Sequence, residues 1–371
     1  MKKIVLASVL AFAAPTLLAA ATPPIESAGD VRLVRVNCAR GETVGRAIQQ
    51  TDEAKRAEIH FVGTCQEDTL IERDDLTISG EGSGSILVGL MDVRASQRIT
   101  LRNFKVIGVP GAPFDTNKGG INIIEGSSVT VLNVRIENIK ARALQVNEST
   151  ARLKDISIDK AQAGAFVFRA SQLALEGSLT ATNSVFGMSF LYSGAAAKSA
   201  DITLNNNLFG LLVQVNGSLE HVTGHLAANN NFIGIVLAGH GALAYGSHIK
   251  VKGNTGYGIF LDEGSSLTPL IGAPEGPTLV ITDNPSVGIT VERGSTCELA
   301  GLGTIRRNGV GVQVDNSVLR MADTVVSGNA TNLKLAFGAK AEFLGNANNV
   351  ATPIECDATV LTRGSLACGP P

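Results

Sequence analysis

GLLVQV at residues 210–215, GIVLA at 234–238, GIFLD at 258–262, GITVE at 288–292 and GVQVD at 311–315 are versions of one phrase, a glycine leading a short apolar alternation. GGINI, RALQV, GAFVF and GMSFL continue it upstream, and NLKLAF closes it. The phrases align at Gly120, Arg142, Gly164, Gly187, Gly210, Gly234, Gly258, Gly288, Gly311 and Asn332, with steps of 22, 22, 23, 23, 24, 24, 30, 23 and 21. Self-similarity at such a period is the mark of a stacked array. A second alternating segment recurs ahead of the first, as in ITLRNF, VTVLNV, HIKVKGN and TLVITDN. Period-2 alternation specifies strands, and helical periodicity is absent, so helix-pair and leucine-rich repeats fit poorly. Three short strands and tight turns in roughly 22 residues make one rung of a parallel β-helix, with rungs about 4.8 Å apart.

Asparagine supports the period. It falls four residues before the register position at Asn138, Asn183, Asn206, Asn230, Asn254 and Asn284, and three before at Asn117, Asn308 and Asn329. A turn repeated in every rung favours a residue that tolerates the left-handed region. Stacked Asn side chains can also hydrogen-bond from rung to rung.

The chain has 371 residues, 41 of them Gly, with 44% hydrophobic and 17% charged residues and a net charge of -2. This excludes a disordered chain, a polycation built for nucleic acid and a disulfide-dense miniprotein. Lys2 and Lys3, the apolar run Ile4 to Ala14 and Ala19-Ala20-Ala21 read as a signal peptide over residues 1–21, with the mature chain starting near Thr22. That apolar run is short of the roughly 20 residues needed to span a bilayer, so export to the periplasm or beyond is expected, with no membrane span. In an oxidising compartment the simplest pairing is a staple at each end, Cys38 with Cys65 and Cys356 with Cys368, leaving Cys297 alone; spacing does not fix the connectivity.

With this repeat, and with the entry passages VNCARGETVGRAIQQ and EIHFVGTCQEDTLIERDDLTISGEG, the chain resembles the right-handed parallel β-helix superfamily, the pectin-lyase-like proteins, over about residues 34–345. The resemblance implies an all-β single-domain solenoid and leaves the activity open, since that superfamily includes lyases, hydrolases, epimerases and non-catalytic surface proteins. The expected organisation is an N-terminal cap at 34–66, rungs at about 67–345 and a C-terminal cap at 346–371. Thr43 N-caps a helix running to about Ala57, whose Val44, Ala47, Ile48 and Ala54 cover the first rung.

Two enlarged turns, Val109 to Lys118 and Leu267 to Gly276, are places where function concentrates on such scaffolds. Subtracting and adding one 22-residue rung from Glu137 gives Asp115 and Asp159, a column of three acids; Lys140 stands over Lys118, and Lys160 follows Asn138. Carboxylates stacked so closely require a cation, a lysine or a hard metal such as Ca2+. Polyuronate lyases and epimerases of the superfamily use such features, which implies Asp115, Glu137 and Asp159 as metal ligands, Lys118 and Lys160 as substrate-binding groups and Lys140 or Arg142 as the base. Gly239-His240-Gly241 is superficially similar to an element of polygalacturonase-type hydrolases, but the paired carboxylates those enzymes need upstream are missing, so His240 reads as an exposed turn residue, with His221, His225 and His248 on neighbouring rungs. Three Tyr and no Trp leave few platforms for sugar rings. Two functions follow. One is an exported β-helix repeat protein that contacts polysaccharide or cell envelope through one face, without a complete catalytic set. The other is a lyase or C5-epimerase acting on a uronate-rich glycan with Ca2+.

Overall fold

The structure, a computed structural model, describes residues 31–51, 56–111, 119–274, 276–344 and 349–364. The signal segment, Asp115, Lys118, Asn117 and Cys368 lie outside the described residues. The chain winds into an all-β parallel solenoid of about 14 turns. Each turn contributes to three parallel sheets. The first runs from Arg32–Asn37 and Ala57–Val62 to Leu361–Arg363, the second from Thr64–Gln66 to Asn349–Val350, and the third from Thr69–Ile71 to Ile354–Cys356. Parallel pairing therefore passes beyond 67–345 at both ends, and stretches expected to be caps supply strands of their own.

Alternation explains the interior. In the first sheet Ile59, Ile78, Leu101, Val131 and Leu153 stack in one inward column, each almost or fully buried. Farther along, the same column holds His221 and Tyr245, both 0% exposed. These polar groups are tolerated because they find partners. The His221 ring meets the Ser247 hydroxyl through Nδ1 and the Ala200 carbonyl, 3.0 Å away, through Nε2. Burial pushes the Tyr245 phenol far above its usual range, and its hydroxyl donates to the Glu298 carbonyl at 3.4 Å.

The glycine register holds from Gly164 to Asn332, but Arg142 pairs with Gly119, so Ala143 stands over Gly120. The glycines are required by close approach. A Cβ on Gly187 would sit 2.6 Å from the Gly210 carbonyl oxygen and 2.9 Å from the Asn207 side-chain nitrogen of the next rung.

The recurring asparagines separate into two columns one residue apart. Asn138, Asn183, Asn206 and Asn230 occupy the left-handed turn position, with φ of 54–57°. Asn254, Asn284, Asn308 and Asn329, joined by Asn207 and Asn231, form a buried ladder inside that turn. In it the backbone N–H donates to the next rung's amide oxygen, for example Asn207 to Asn231 at 2.8 Å and Asn254 to Asn284 at 2.9 Å, until that of Asn329 turns to Asn332 of its own rung at 3.1 Å. A serine ladder, not anticipated from sequence, does the same where the third sheet turns back to the first: the N–H groups of Ser96, Ser127 and Ser149 donate to the hydroxyls of Ser127, Ser149 and Ser171.

The capping helix is Val44–Gln49, shorter than expected; Ala57 already belongs to a strand, and Ala54 lies outside the described residues. Thr43 is its N-cap, accepting from the Arg46 N–H at 3.2 Å. Val44, Ala47 and Ile48 join the main core, as expected. Cys38 and Cys65 form a disulfide with a Cα separation of 5.0 Å. Cys356 is also disulfide-bonded. Cys297 is free and points into the core, where burial pushes its thiol well above the usual value. Leu267 sits in the core within the strand Ser266–Pro269, so the second enlarged turn begins at Leu270 rather than at Leu267.

Candidate functional site on the outer face of the third sheet

The acidic column expected on the second sheet is only partly assembled. Glu137 and Asp159 are register partners on adjacent rungs. The residue beneath Glu137 is Ile107 and not Asp115, because the enlarged turn lengthens that rung to 30 residues. Glu137 is 8% exposed and is neutralised by ion pairs to Lys105 and Arg135, residues that sequence reasoning did not connect to it. Burial raises the Asp159 pKa, but hydrogen bonds from Asn183 at 2.6 Å and Thr182 at 2.9 Å, with the charges of Lys160 and Arg135, bring it below the ordinary value. Lys160 occupies the left-handed turn position with its ammonium 4.0 Å from Asp159. Lys140 is exposed on the turn. Among the described residues no three His, Cys, Asp or Glu side chains come together as a metal site. Of the residues assigned to a Ca2+-dependent lyase, Glu137, Asp159 and Lys160 are held in ion pairs.

Arg142 leaves that group altogether. The register position one residue off the glycine column turns its side chain to the outer face of the third sheet. Its guanidinium lies 4.0 Å from the centre of the Phe166 ring and donates to the Gln145 amide oxygen at 2.8 Å. Burial lowers its pKa from the usual guanidinium value.

That outer face carries the protein's concentration of rings. Phe166 and Phe168 lie 5.0 Å apart; Phe186 and Phe209, on successive rungs, stack at 5.4 Å and 11°; Tyr257 and Phe260 lie 5.3 Å apart. Between them Leu212, Ile233 and Val236 form a second apolar cluster, separate from the main core. Val185, Leu208 and Phe232, exposed at 38%, 46% and 48%, border it on one edge. From Phe166 to Phe260 the strip crosses four rung steps, about 19 Å at the spacing of parallel strands. Contiguous apolar patches on protein surfaces are a common feature of interaction sites.

Polar atoms on the same face lack partners. Eight buried side-chain polar atoms among the described residues have no hydrogen bond within the protein, and five belong to Arg94, Asn147, Ser189, Thr290 and Asp315, all on this face. Such atoms cost about 1–3 kcal/mol each when left unpaired. Sequence reasoning missed the strip because only Tyr and Trp were weighed as platforms and the phenylalanines were not placed. The signal was there: the residue before each register glycine and the second residue after it point outward, and those are the positions of Phe186, Phe209, Tyr257, Phe166 and Phe260.

The histidines do not assemble with this strip. His221 is in the core, His240 is an exposed turn residue, and His225 stacks on His248 at 5.3 Å while contacting Asp201 at 3.0 Å. No helix among the described residues is long and apolar enough to cross a membrane.

Comparison with curated proteins finds no match. Among solved structures, a double mutant of the periplasmic alginate epimerase AlgG is 13% identical, with a TM-score of 0.43 over 89% of this chain and 82% of that one. The A-module of the Azotobacter vinelandii mannuronan C-5 epimerase AlgE6 is 12% identical, with a TM-score of 0.36 over 89% of this chain and 100% of that one. The catalytic domain of a GH87 α-1,3-glucanase bound to nigerose is 13% identical, with a TM-score of 0.37 over 93% and 70%. At these identities no functional residue carries over to this chain. Residues 91–270 match the family described as the right handed beta helix region, and together with the three-sheet coil this makes the chain a right-handed parallel β-helix repeat protein.

Proposed function

We propose that this is an exported protein that grips an extended polysaccharide along the outer face of its third sheet. The observation that carries the reading is the strip itself, six rings from Phe166 to Phe260 on one outward face of a rigid coil. Ring faces stack on the apolar faces of pyranoses, and the unpaired polar atoms beside them offer hydrogen bonds to sugar hydroxyls. A linear polymer is the partner whose shape fits a straight platform several rungs long. Export is supported by the charged, apolar and small-residue pattern of residues 1–21 and by the Cys38–Cys65 disulfide, which suits an oxidising compartment.

The test is calorimetric titration of soluble polysaccharides into the wild type and into a Phe186→Ala/Phe209→Ala double variant. Saturable binding by the wild type, weakened about tenfold in the variant, supports the reading; tenfold is about 1.4 kcal/mol. Equal affinity in the two proteins, or a dimer in gel filtration that dissociates when these rings are removed, would replace it.

A further inference from the structure

Beyond Phe260 the strip ends in carboxylates. Leu261, Val291 and Val314 are register partners on three consecutive rungs. The residues that follow them, Asp262, Glu292 and Asp315, therefore share one outward column. Arg293 holds both carboxylate oxygens of Asp262 and comes within 3.6 Å of Glu263, and Lys334, the register partner of Gln313, faces the same side one rung on, next to Glu355. Asp315 accepts from the Gln313 amide at 2.8 Å through one oxygen, while its other oxygen is buried without a partner. Thr290 stands two residues before Glu292 on the same face, 1% exposed, and its hydroxyl is likewise unpartnered. Burial raises the Glu292 pKa, and the charges of Asp315 and Asp262 add to this against the pull of Arg293.

We infer that this end of the strip is a subsite for a sugar unit that carries no negative charge and presents O–H or N–H donors, so that the polymer read there is a neutral or amino glycan and not a polyuronate. The inference rests on the reading of the strip as a polysaccharide platform. Its reasons are independent of the rings. Asp262, Glu263, Glu292, Asp315 and Glu355 outnumber Arg293 and Lys334 on this side, and a uronate carboxylate placed beside them meets like charge at short range. A buried carboxylate oxygen can only accept, so its missing partner is a donor. The Thr290 hydroxyl can serve either way, so hydroxyl or ammonium groups of a sugar suit both positions. The positive end of the strip, at Arg142, is five rungs away, about 24 Å at this spacing, and is screened from the acids at physiological salt.

The experiment titrates the full chain with laminarin, chitosan oligomers and alginate oligomers of matched length, for the wild type, Glu292→Gln/Asp315→Asn and Thr290→Ala, with melting temperatures recorded alongside. The expected result is binding of laminarin or chitosan with alginate weaker by about tenfold or more. The double variant should narrow that gap by strengthening alginate, and Thr290→Ala should weaken the preferred glycan with its melting temperature unchanged. A preference for chitosan over laminarin would identify the donor as an ammonium, and equal binding would show that hydroxyls suffice. Alginate binding as tight as that of the other two, or a double variant with the wild-type preference, overturns the inference while leaving the platform intact. Failure of all three to bind overturns both.

Discussion

The Arg142 guanidinium carbon lies over the Phe166 ring, 4.0 Å from its centre, with the Phe168 ring centre at 5.3 Å. A cation held in this way is worth about 0.5–2 kcal/mol and fixes the ring beneath it. Arg142→Lys should therefore weaken polysaccharide binding several-fold without abolishing it, because an ammonium neither stacks in the same plane nor reaches Gln145 with the same fork. Titration calorimetry on the two proteins checks this. A variant with unchanged affinity would remove Arg142 from the platform.

The two asparagine columns should respond differently. Asn254 is 0% exposed, accepts from the Asn231 N–H at 2.9 Å and donates to the Ala228 carbonyl at 3.1 Å and to Asn284 at 3.0 Å. Asn254→Ala strands those partners and should cost about 2–4 kcal/mol. Asn230→Ala, one column outward, loses mainly a preference for the left-handed region and should cost about 1 kcal/mol. Urea unfolding of each variant gives the comparison.

Gly187→Ala tests the close approach of rungs. The added methyl meets the Gly210 carbonyl at 2.6 Å, and rigid backbone on both sides leaves little room for relief. A loss of about 1–3 kcal/mol is expected, the usual range for overpacking, read by the same unfolding measurement.

Asp283 carries the clearest acid dependence. Hydrogen bonds from Arg307 at 2.6 and 3.0 Å, with Thr282 and the charges of Arg307 and Lys252 assisting, hold its carboxyl well below the usual range against a small desolvation effect. A depressed carboxylate pKa contributes stability that is present above the ordinary value near 4 and is lost as the pH falls through the folded value. The pair is solvent-facing, so the contribution is modest. Asp283→Asn should melt below wild type at pH 7, and the difference should shrink as the pH is lowered towards 2.

Cys297 should resist iodoacetamide in the folded protein even at pH 9, since burial keeps it protonated and out of reach. Full labelling is expected in denaturant. Mass spectrometry distinguishes the two states.

The coil was legible because it is written as a period, and the period survives small errors. The errors that did occur were errors of register, and each has a physical cause. Arg142 entered the glycine column because RALQV has no glycine to mark it, and Ala143 is small enough to take that place. One slip in a strand reverses the face, which is why Arg142 was expected beside Glu137 and instead lies over Phe166. Asp115 was placed under Glu137 by a constant rung length, which the enlarged turn breaks. The strip could not be read from composition. A chain with three Tyr and no Trp looks poor in platforms until its phenylalanines are sorted by their offset from the register glycines. The lone oxygens at Thr290 and Asp315 depend on which neighbours fold over them, and that is decided in three dimensions.

The asparagine ladder runs in one sense, the backbone N–H groups of Asn207, Asn231, Asn254, Asn284 and Asn308 each reaching forward to the following turn. Such a scaffold has no fixed length. Duplicating a stretch of 23 or 24 residues in the gene would splice in another layer without disturbing those on either side, and the platform would grow by one step. The length of the outer face is therefore open to inheritance as a copy number, and lineages could lengthen or shorten it without inventing a new contact.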